Sequence, residues 1–320
     1  MTNKNPSAYQ YLPLPMNKTI KTIFISLSII FGTIGIVSFF AIIFNSSYHF
    51  NETKIIDPEL ASKFGDFFGG FVGTIFSILS VFLLIYTILR QNRDGQKSIL
   101  EANFFRMIDY HNQNVNQLKI SHLDIKRKAE ISDGRRAFVQ FKIQIHRLFE
   151  IVKEINEEKK YELTQHQIAD IVYVVFYYGI DGSWVSFIED KLLIYNPIHT
   201  DIAKEIQDKI NLNPDLRYGR TNQTNLSTYF RNMYNAIKLV DSSKILKDEE
   251  KKELIKIYRA QLSNPELYVL FFNVLSRFGR KWKENEYITK YQLLKNIPTG
   301  YCDGYIPNEY FPMDYEDEEY

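Results

Sequence analysis

An arginine and a histidine five residues apart, Arg106 and His111, are the residues of this chain whose types and spacing best suit catalysis. Histidine side chains transfer protons near neutral pH, and arginine side chains stabilise the negative charge of a phosphate group. Acting together, one residue would move a proton and the other would hold the negative charge of a phosphate group. The pair is therefore a candidate site for chemistry on a phosphate ester.

The Arg-x-x-x-x-His spacing resembles that of the all-helical HEPN ribonucleases, in which the arginine and histidine of a dimer act on an RNA phosphodiester. The resemblance implies that a ribonuclease is one candidate function. That family usually has a polar residue directly after the arginine, whereas this chain has Met107. His111 also falls on the apolar face of its helix, where a packed, hydrogen-bonded core histidine is the usual finding. Catalysis is therefore the minority interpretation, and we expect the chain not to be an enzyme.

Signatures of common cofactor and metal sites are missing from the sequence. It contains no phosphate-binding loop, no dinucleotide fingerprint and no Gly-x-Ser-x-Gly nucleophile motif. One cysteine, Cys302, and six scattered histidines give no zinc-ligand spacing. We therefore expect no cofactor and no metal, and the single cysteine fits a reducing compartment.

Three arginines are candidates for contact with an anionic trigger or a partner. Arg135 and Arg136 stand at the head of a predicted helix, and Arg231 lies within a second one. Arginines in helical bundles more often pair with carboxylates of the same domain. Both interpretations stay open for these residues.

Two uncharged apolar runs lie near the N-terminus, ahead of all the candidate residues described above. They extend from Thr22 to Phe44 and from Phe67 to Leu89. At about 1.5 Å of rise per residue, each is long enough to cross a hydrocarbon layer of about 30 Å as a helix. The sequence therefore predicts a two-helix transmembrane hairpin in contact with a lipid bilayer.

The basic residues around the runs predict the orientation of the hairpin. The loop 45–66 has two lysines against four acids, and cytoplasmic flanks are rich in lysine and arginine. The flanking basic residues are Lys4, Lys18, Lys21, Arg90, Arg93 and Lys97. We therefore expect an N-terminal segment 1–21 and a C-terminal part that both face the cytoplasm of a bacterial cell, with the loop 45–66 outside its inner membrane.

Small residues recur every four positions at the start of the second run, and a shorter match occurs in the first. They are Gly65, Gly69, Gly73 and Ser77, with Ser28 and Gly32 in the first run. This spacing places them on one helical face, where another helix can approach closely. The partner is either the other span of the same hairpin or a second copy, which would make the active protein a homo-oligomer.

Residues 90–302 read as an all-α domain, a cytoplasmic helical bundle. The apolar residues from Phe138 to Ile155 recur at alternating spacings of three and four, as in a packed helix. Ile168 to Tyr178 reads as a buried core helix, and Asn264 as the N-cap of a later one. The last helix is expected over Glu286–Ile297, and no strands are expected.

Two regions of the domain are harder to interpret. The stretch 179–225 reads as irregular, with one helix after Thr200, and suits a lid or a binding surface. Residues 303–320 contain seven acids and no basic residue, which predicts a solvated, mobile tail.

Five short segments together resemble the phage abortive-infection proteins of bacteria, a family that includes AbiC-like proteins and two-span effectors found beside retrons. The segments begin at Phe64, Phe105, Asp133, Leu226 and Tyr258 and read FGDFFGG, FRMIDYHN, DGRRAF, LSTYFRNMY and YRAQLSNPEL. The resemblance implies that the protein senses infection and stops the host cell before phage is released. It transfers no catalytic residues.

Taken together, the residues and the resemblance predict a membrane-anchored abortive-infection effector that impairs the inner membrane through association of its hairpins. The partners expected are the bilayer, further copies of the chain, and a phage protein or a retron reverse transcriptase–nucleic acid complex, without direct binding of nucleic acid. The alternatives are an anchored ribonuclease that uses Arg106 and His111, and a non-enzymatic membrane scaffold or sensor.

Overall fold

The computed structural model describes residues 18–44, 58–123, 128–195, 201–213 and 221–316. It is mostly helical, with 77% helix, so the predicted all-α class is confirmed. The chain divides into two compact units, residues 1–96 and residues 97–320. The predicted N-terminal segment 1–21 falls mainly outside the described residues.

The first unit contains helical, solvent-exposed apolar segments. Helix α1 covers Lys18–Phe44, α2 covers Pro58–Phe67, a π-helical turn covers Phe68–Val72, and α3 covers Gly73–Asn116 and continues into the second unit. The predicted loop 45–66 is therefore helical from Pro58 onward, and its residues 45–57 lie outside the described part. A proline in the first turn and a 2.7 Å ion pair between Lys63 and Glu59 explain why a helix begins there.

Among the described residues, one helical stretch has the length and composition to cross a membrane. It is Gly65–Asn116, and none of its most apolar 18 residues is buried. A second apolar stretch, Ser28–Ser38, is shorter. The two-span hairpin remains a prediction.

The second unit is a helical domain with one small hairpin. The end of α3 leads into strands β1 (Lys119–Leu123) and β2 (Ala129–Asp133), which pair antiparallel with Lys119 opposite Asp133. The remaining helices are α4 (Arg136–Lys159), α5 (Gln165–Tyr178), α6 (Val185–Leu192), α7 (Ile202–Leu212), α8 (Thr221–Asp241), α9 (Asp248–Arg259), α10 (Asn264–Leu275), α11 (Arg280–Glu284), α12 (Tyr287–Lys290) and α13 (Pro307–Tyr310).

Two helices, α5 and α10, form the centre of the domain. Residues 168–176 of α5 and residues 266–275 of α10 are all buried, and both helices pack against α4. The predicted apolar seam of α4 is confirmed, since Phe138, Phe141 and Ile145 are fully buried together with the later members of the repeat. An apolar helix that is too short for a membrane is thus covered on all sides by protein.

Five predictions on the domain need correction. The β1–β2 hairpin was not expected, because strands of five residues show little alternation. Helix α10 begins at Asn264 with Ser263 as its N-cap. The helix expected over Glu286–Ile297 is only one turn, because the backbones of Glu286 and Gln292 are left-handed and interrupt it.

The irregular stretch 179–225 is also more regular than expected, since α6 and α7 lie within it, although residues 196–200 and 214–220 are outside the described part.

The acidic segment at the C-terminus also differs from its prediction. Tyr305 and Phe311 are buried, and the Tyr305 hydroxyl donates a 2.8 Å hydrogen bond to the Gln165 carbonyl oxygen. Residues 303–316 therefore pack onto the domain and are not a mobile tail, because aromatic side chains anchor the segment between its acids. Residues 317–320 lie outside the described part.

Candidate functional site

Helix α3 carries both residues of the predicted catalytic pair, but it places them in different environments. The His111 side chain is fully buried, whereas Arg106 is exposed. The structure therefore does not bring the two side chains together within the chain. It places His111 in the core, as the apolar face of the helix indicated.

His111 is the centre of a buried polar cluster that joins four helices. A 2.8 Å hydrogen bond links its Nδ1 to the Tyr258 hydroxyl of α9. The Tyr229 ring of α8 packs 4.8 Å from the imidazole, and its hydroxyl donates a 3.2 Å hydrogen bond to Oε1 of Glu266 on α10. We call His111, Tyr229, Tyr258, Ser263 and Glu266 the histidine cluster.

The Glu266 carboxylate is fully buried and is held by nearby donors. Its Oε2 accepts hydrogen bonds from the Ser263 backbone N–H at 2.9 Å and from the Ser263 hydroxyl at 2.6 Å. Burial opposes ionisation, but His111 and the Ser263 donors outweigh it, so the pKa of Glu266 is lowered. The carboxylate is therefore ionised at neutral pH.

The tyrosines of the cluster remain protonated. Burial and the nearby Glu266 carboxylate raise the pKa of both Tyr229 and Tyr258 well above the ordinary value. If the Tyr258 hydroxyl donates to Nδ1, the imidazole proton lies on Nε2, which is 3.7 Å from Glu266 Oε1. This distance is longer than that of an ordinary hydrogen bond, so His111 influences the Glu266 carboxylate as a nearby polar group, and Nε2 has no hydrogen-bond partner among the described residues.

The cluster is closed to substrate, because its five side chains are buried or half-buried. It connects α3 to α8, α9 and α10 and makes their relative placement specific. Sequence reasoning missed Glu266 as a member of this cluster. The Ser-x-x-Glu spacing of Ser263 and Glu266, which is typical of a helix N-terminus, was the signal that could have found it.

The three arginines proposed to contact a partner are all exposed. Arg135 also donates a 2.8 Å hydrogen bond to the Gln261 carbonyl oxygen, which connects the head of α4 to the end of α9. Arg136 is its exposed neighbour. Arg231 lies on α8 and lines a surface groove formed with α3, whose described lining includes neither Arg135 nor Arg136.

We call the small residues of the two apolar runs the small-residue ladder, and open space surrounds its glycines. A Cβ atom added at Gly65, Gly69, Gly73 or Gly32 would meet nothing within 4 Å in the described structure. The Ser77 hydroxyl donates to the Gly73 carbonyl oxygen at 2.8 Å, and Ser28 is half-buried. The π-helical turn Phe68–Val72 interrupts the α-helix at Gly69, so the ladder does not follow a regular α-helical face.

Comparison with known proteins gives one match. No curated protein and no solved structure matches the chain. The model of a family described as "putative phage abortive infection protein" matches residues 221–301, which cover α8 to α12 and four members of the histidine cluster. This match confirms that the chain resembles the phage abortive-infection family, as its sequence motifs predicted.

Proposed function

We propose that this chain is a membrane-anchored effector of abortive infection in bacteria. The family match supports a role in phage defence. In the proposed mechanism the helical unit 97–320 receives the infection signal from a phage protein or a retron complex. The apolar helices then associate between copies and impair the inner membrane.

The observation that carries the membrane role is the exposure of the long apolar helix. The most apolar 18 residues of Gly65–Asn116 have no buried member, and Val81, Leu83 and Leu84 are each more than half exposed. A core helix of the same composition would be covered by protein, as α5 and α10 are. Insertion into a lipid bilayer removes such an apolar surface from water.

The open space around the glycines supports association between copies. Among the described residues no neighbouring side chain covers Gly65, Gly69 or Gly73, so each glycine is available to a helix outside the chain. Close backbone approach at small residues is a common way for helices to associate in lipid. Two helices cannot enclose a water path, so impairment of the membrane requires several copies.

The test is the membrane potential of single bacterial cells, read with a voltage-sensitive dye after the full chain is induced. We expect depolarisation before any loss of RNA. We expect Gly69→Leu and Gly73→Leu to reduce both depolarisation and oligomer size, because leucine side chains hold the helices apart. The matched control is Gly95→Leu, which lies on the same helix in a polar stretch and is equally open.

The same experiment separates the ribonuclease alternative. Arg106→Ala changes an exposed residue and should leave depolarisation unchanged. Arrest with intact potential and early RNA loss that depends on Arg106 would contradict the proposal. Unchanged depolarisation and oligomer size in both glycine variants would remove the ladder from the mechanism.

A further inference from the structure

A surface groove within the helical unit is lined by polar side chains from two helices. From α3 and the turn that follows it come Tyr110, Gln113, Asn114 and Gln117. Their spacing of three, one and three residues places them on one face of the helix, next to the apolar face that enters the core. We call this surface the amide groove.

Helix α8 faces the groove with the same pattern. It contributes Thr228, Arg231, Asn232 and Asn235, again at spacings of three, one and three residues. The Asn232 side chain donates a 2.8 Å hydrogen bond to the Met107 carbonyl oxygen, which ties the two helices together at the groove. The two polar stripes are therefore held in a fixed relation by the fold.

Among the described residues that line the groove, Arg231 is the one with a charged side chain. No described acidic side chain lines the groove, and Arg231 forms no ion pair with a described residue. A surface arginine without a carboxylate partner keeps its guanidinium available for an anion, and it matches phosphate geometry well. The groove therefore favours a ligand with a single anionic group.

The uncharged lining specifies the rest of the ligand. Five described carboxamide side chains line the groove, and a carboxamide group can both donate and accept hydrogen bonds. Paired donors and acceptors of this kind match the edges of nucleobases. Tyr110 is half exposed and offers an aromatic face of the sort on which bases stack. The groove volume of about 320 Å³ falls within the range of ligand sites, roughly 300–1,000 Å³.

We propose that the amide groove binds a nucleotide, with the phosphate on Arg231 and the base held by Tyr110 and the carboxamides. The ligand is either a free mononucleotide or the terminal nucleotide of a single strand, since both present one base and one phosphate. This differs from the sequence-based expectation of no direct contact with nucleic acid. The proposal rests on the groove alone and does not depend on the membrane role.

The experiment is calorimetric titration of the full chain in lipid nanodiscs. The probes are adenosine and guanosine 5′-monophosphate, the matching nucleosides and inorganic phosphate. A tetranucleotide with and without a 5′-phosphate distinguishes the terminal nucleotide of a single strand from a free mononucleotide as the ligand. A phosphoserine peptide serves as a competing class. The variants are Arg231→Gln and Tyr110→Ala, with Arg147→Gln, an exposed arginine of α4 outside the groove, as the matched control.

We expect a monophosphate or the 5′-phosphorylated strand to bind with a dissociation constant below about 1 mM. Arg231→Gln should weaken that binding by about tenfold or more through loss of a charge-assisted hydrogen bond, and Tyr110→Ala should also weaken it. Arg147→Gln should not. The proposal is overturned if no nucleotide binds, if phosphate alone or the phosphopeptide binds as tightly, or if Arg231→Gln has no effect.

Discussion

At the scale of single residues, the buried Glu266 carboxylate makes a specific prediction about pH. Its pKa is lower in the folded protein than the ordinary 4.5, so its ionisation stabilises the fold above about pH 4.5 and this contribution is lost as the pH falls through the lowered pKa. Glu266→Gln removes the charge that the Ser263 and Tyr229 donors stabilise. We expect it to cost about 1–3 kcal/mol at pH 7 and less at pH 4.

Thermal unfolding of both proteins in detergent micelles, followed by circular dichroism at the two pH values, checks this expectation. The control is Glu284→Gln, whose side chain is 59% exposed and whose effect should be small at both pH values. A Glu266→Gln effect of equal size at pH 7 and pH 4 would show that the carboxylate charge is not the cause.

His111 shows how far residue-level reasoning from the sequence extends. The apolar periodicity of α3 correctly predicted that the histidine side chain lies on the buried face. Its hydrogen-bond partner Tyr258 and its neighbour Glu266 follow about 150 residues later in the chain, and no local pattern connects positions so far apart. The Arg-x-x-x-x-His spacing by itself does not distinguish a catalytic histidine from a core histidine.

At the scale of elements, the close approach of α10 to the turn that follows it depends on one glycine. Gly279 ends a 3₁₀ turn, Arg277–Gly279, and a Cβ atom there would lie 2.1 Å from the Val274 carbonyl oxygen. The neighbouring atoms are backbone and cannot rotate away. We expect Gly279→Ala to destabilise the protein by about 2–3 kcal/mol, as overpacked sites do.

The measurement is the melting temperature of the full chain, with Gly95→Ala as the matched control. Gly95 lies inside α3 with open space around it, so alanine there should leave stability unchanged or raise it by up to about 1 kcal/mol. Equal melting temperatures for Gly279→Ala and the parent would mean that this turn adjusts more easily than its packing indicates.

Helices could be predicted from the sequence where apolar residues recur at a regular local spacing. The α4 seam and the all-round apolar α5 follow from periodicity, since each buried position recurs every three or four residues. The β1–β2 hairpin does not, because its five-residue strands show little alternation. The packing of residues 303–316 and the amide groove do not either, because each depends on a partner far along the chain. In the groove it is polar residues that recur with the period of a helix, so apolar periodicity does not reveal this surface.

At the scale of the whole molecule, the division at residue 97 predicts that the helical unit folds without the apolar helices. The core of this unit, from Phe104 to Phe311, lies entirely within residues 97–320. We expect a fragment of residues 97–320 to be soluble and helical and to unfold cooperatively, because it retains every helix that buries α5 and α10. It should cause no depolarisation in cells, because it lacks the apolar helices.

The full chain, expressed to the same level, is the control for this fragment, and circular dichroism and the voltage-sensitive dye are the readouts. A further protein for comparison is a fusion of the fragment 97–320 to an unrelated single-span membrane anchor. We expect that fusion to be inactive as well, because in the proposed mechanism the native apolar helices act on the membrane. A fusion that protects cells from phage as well as the full chain does would instead make the apolar helices an anchor and the helical unit the sole functional part.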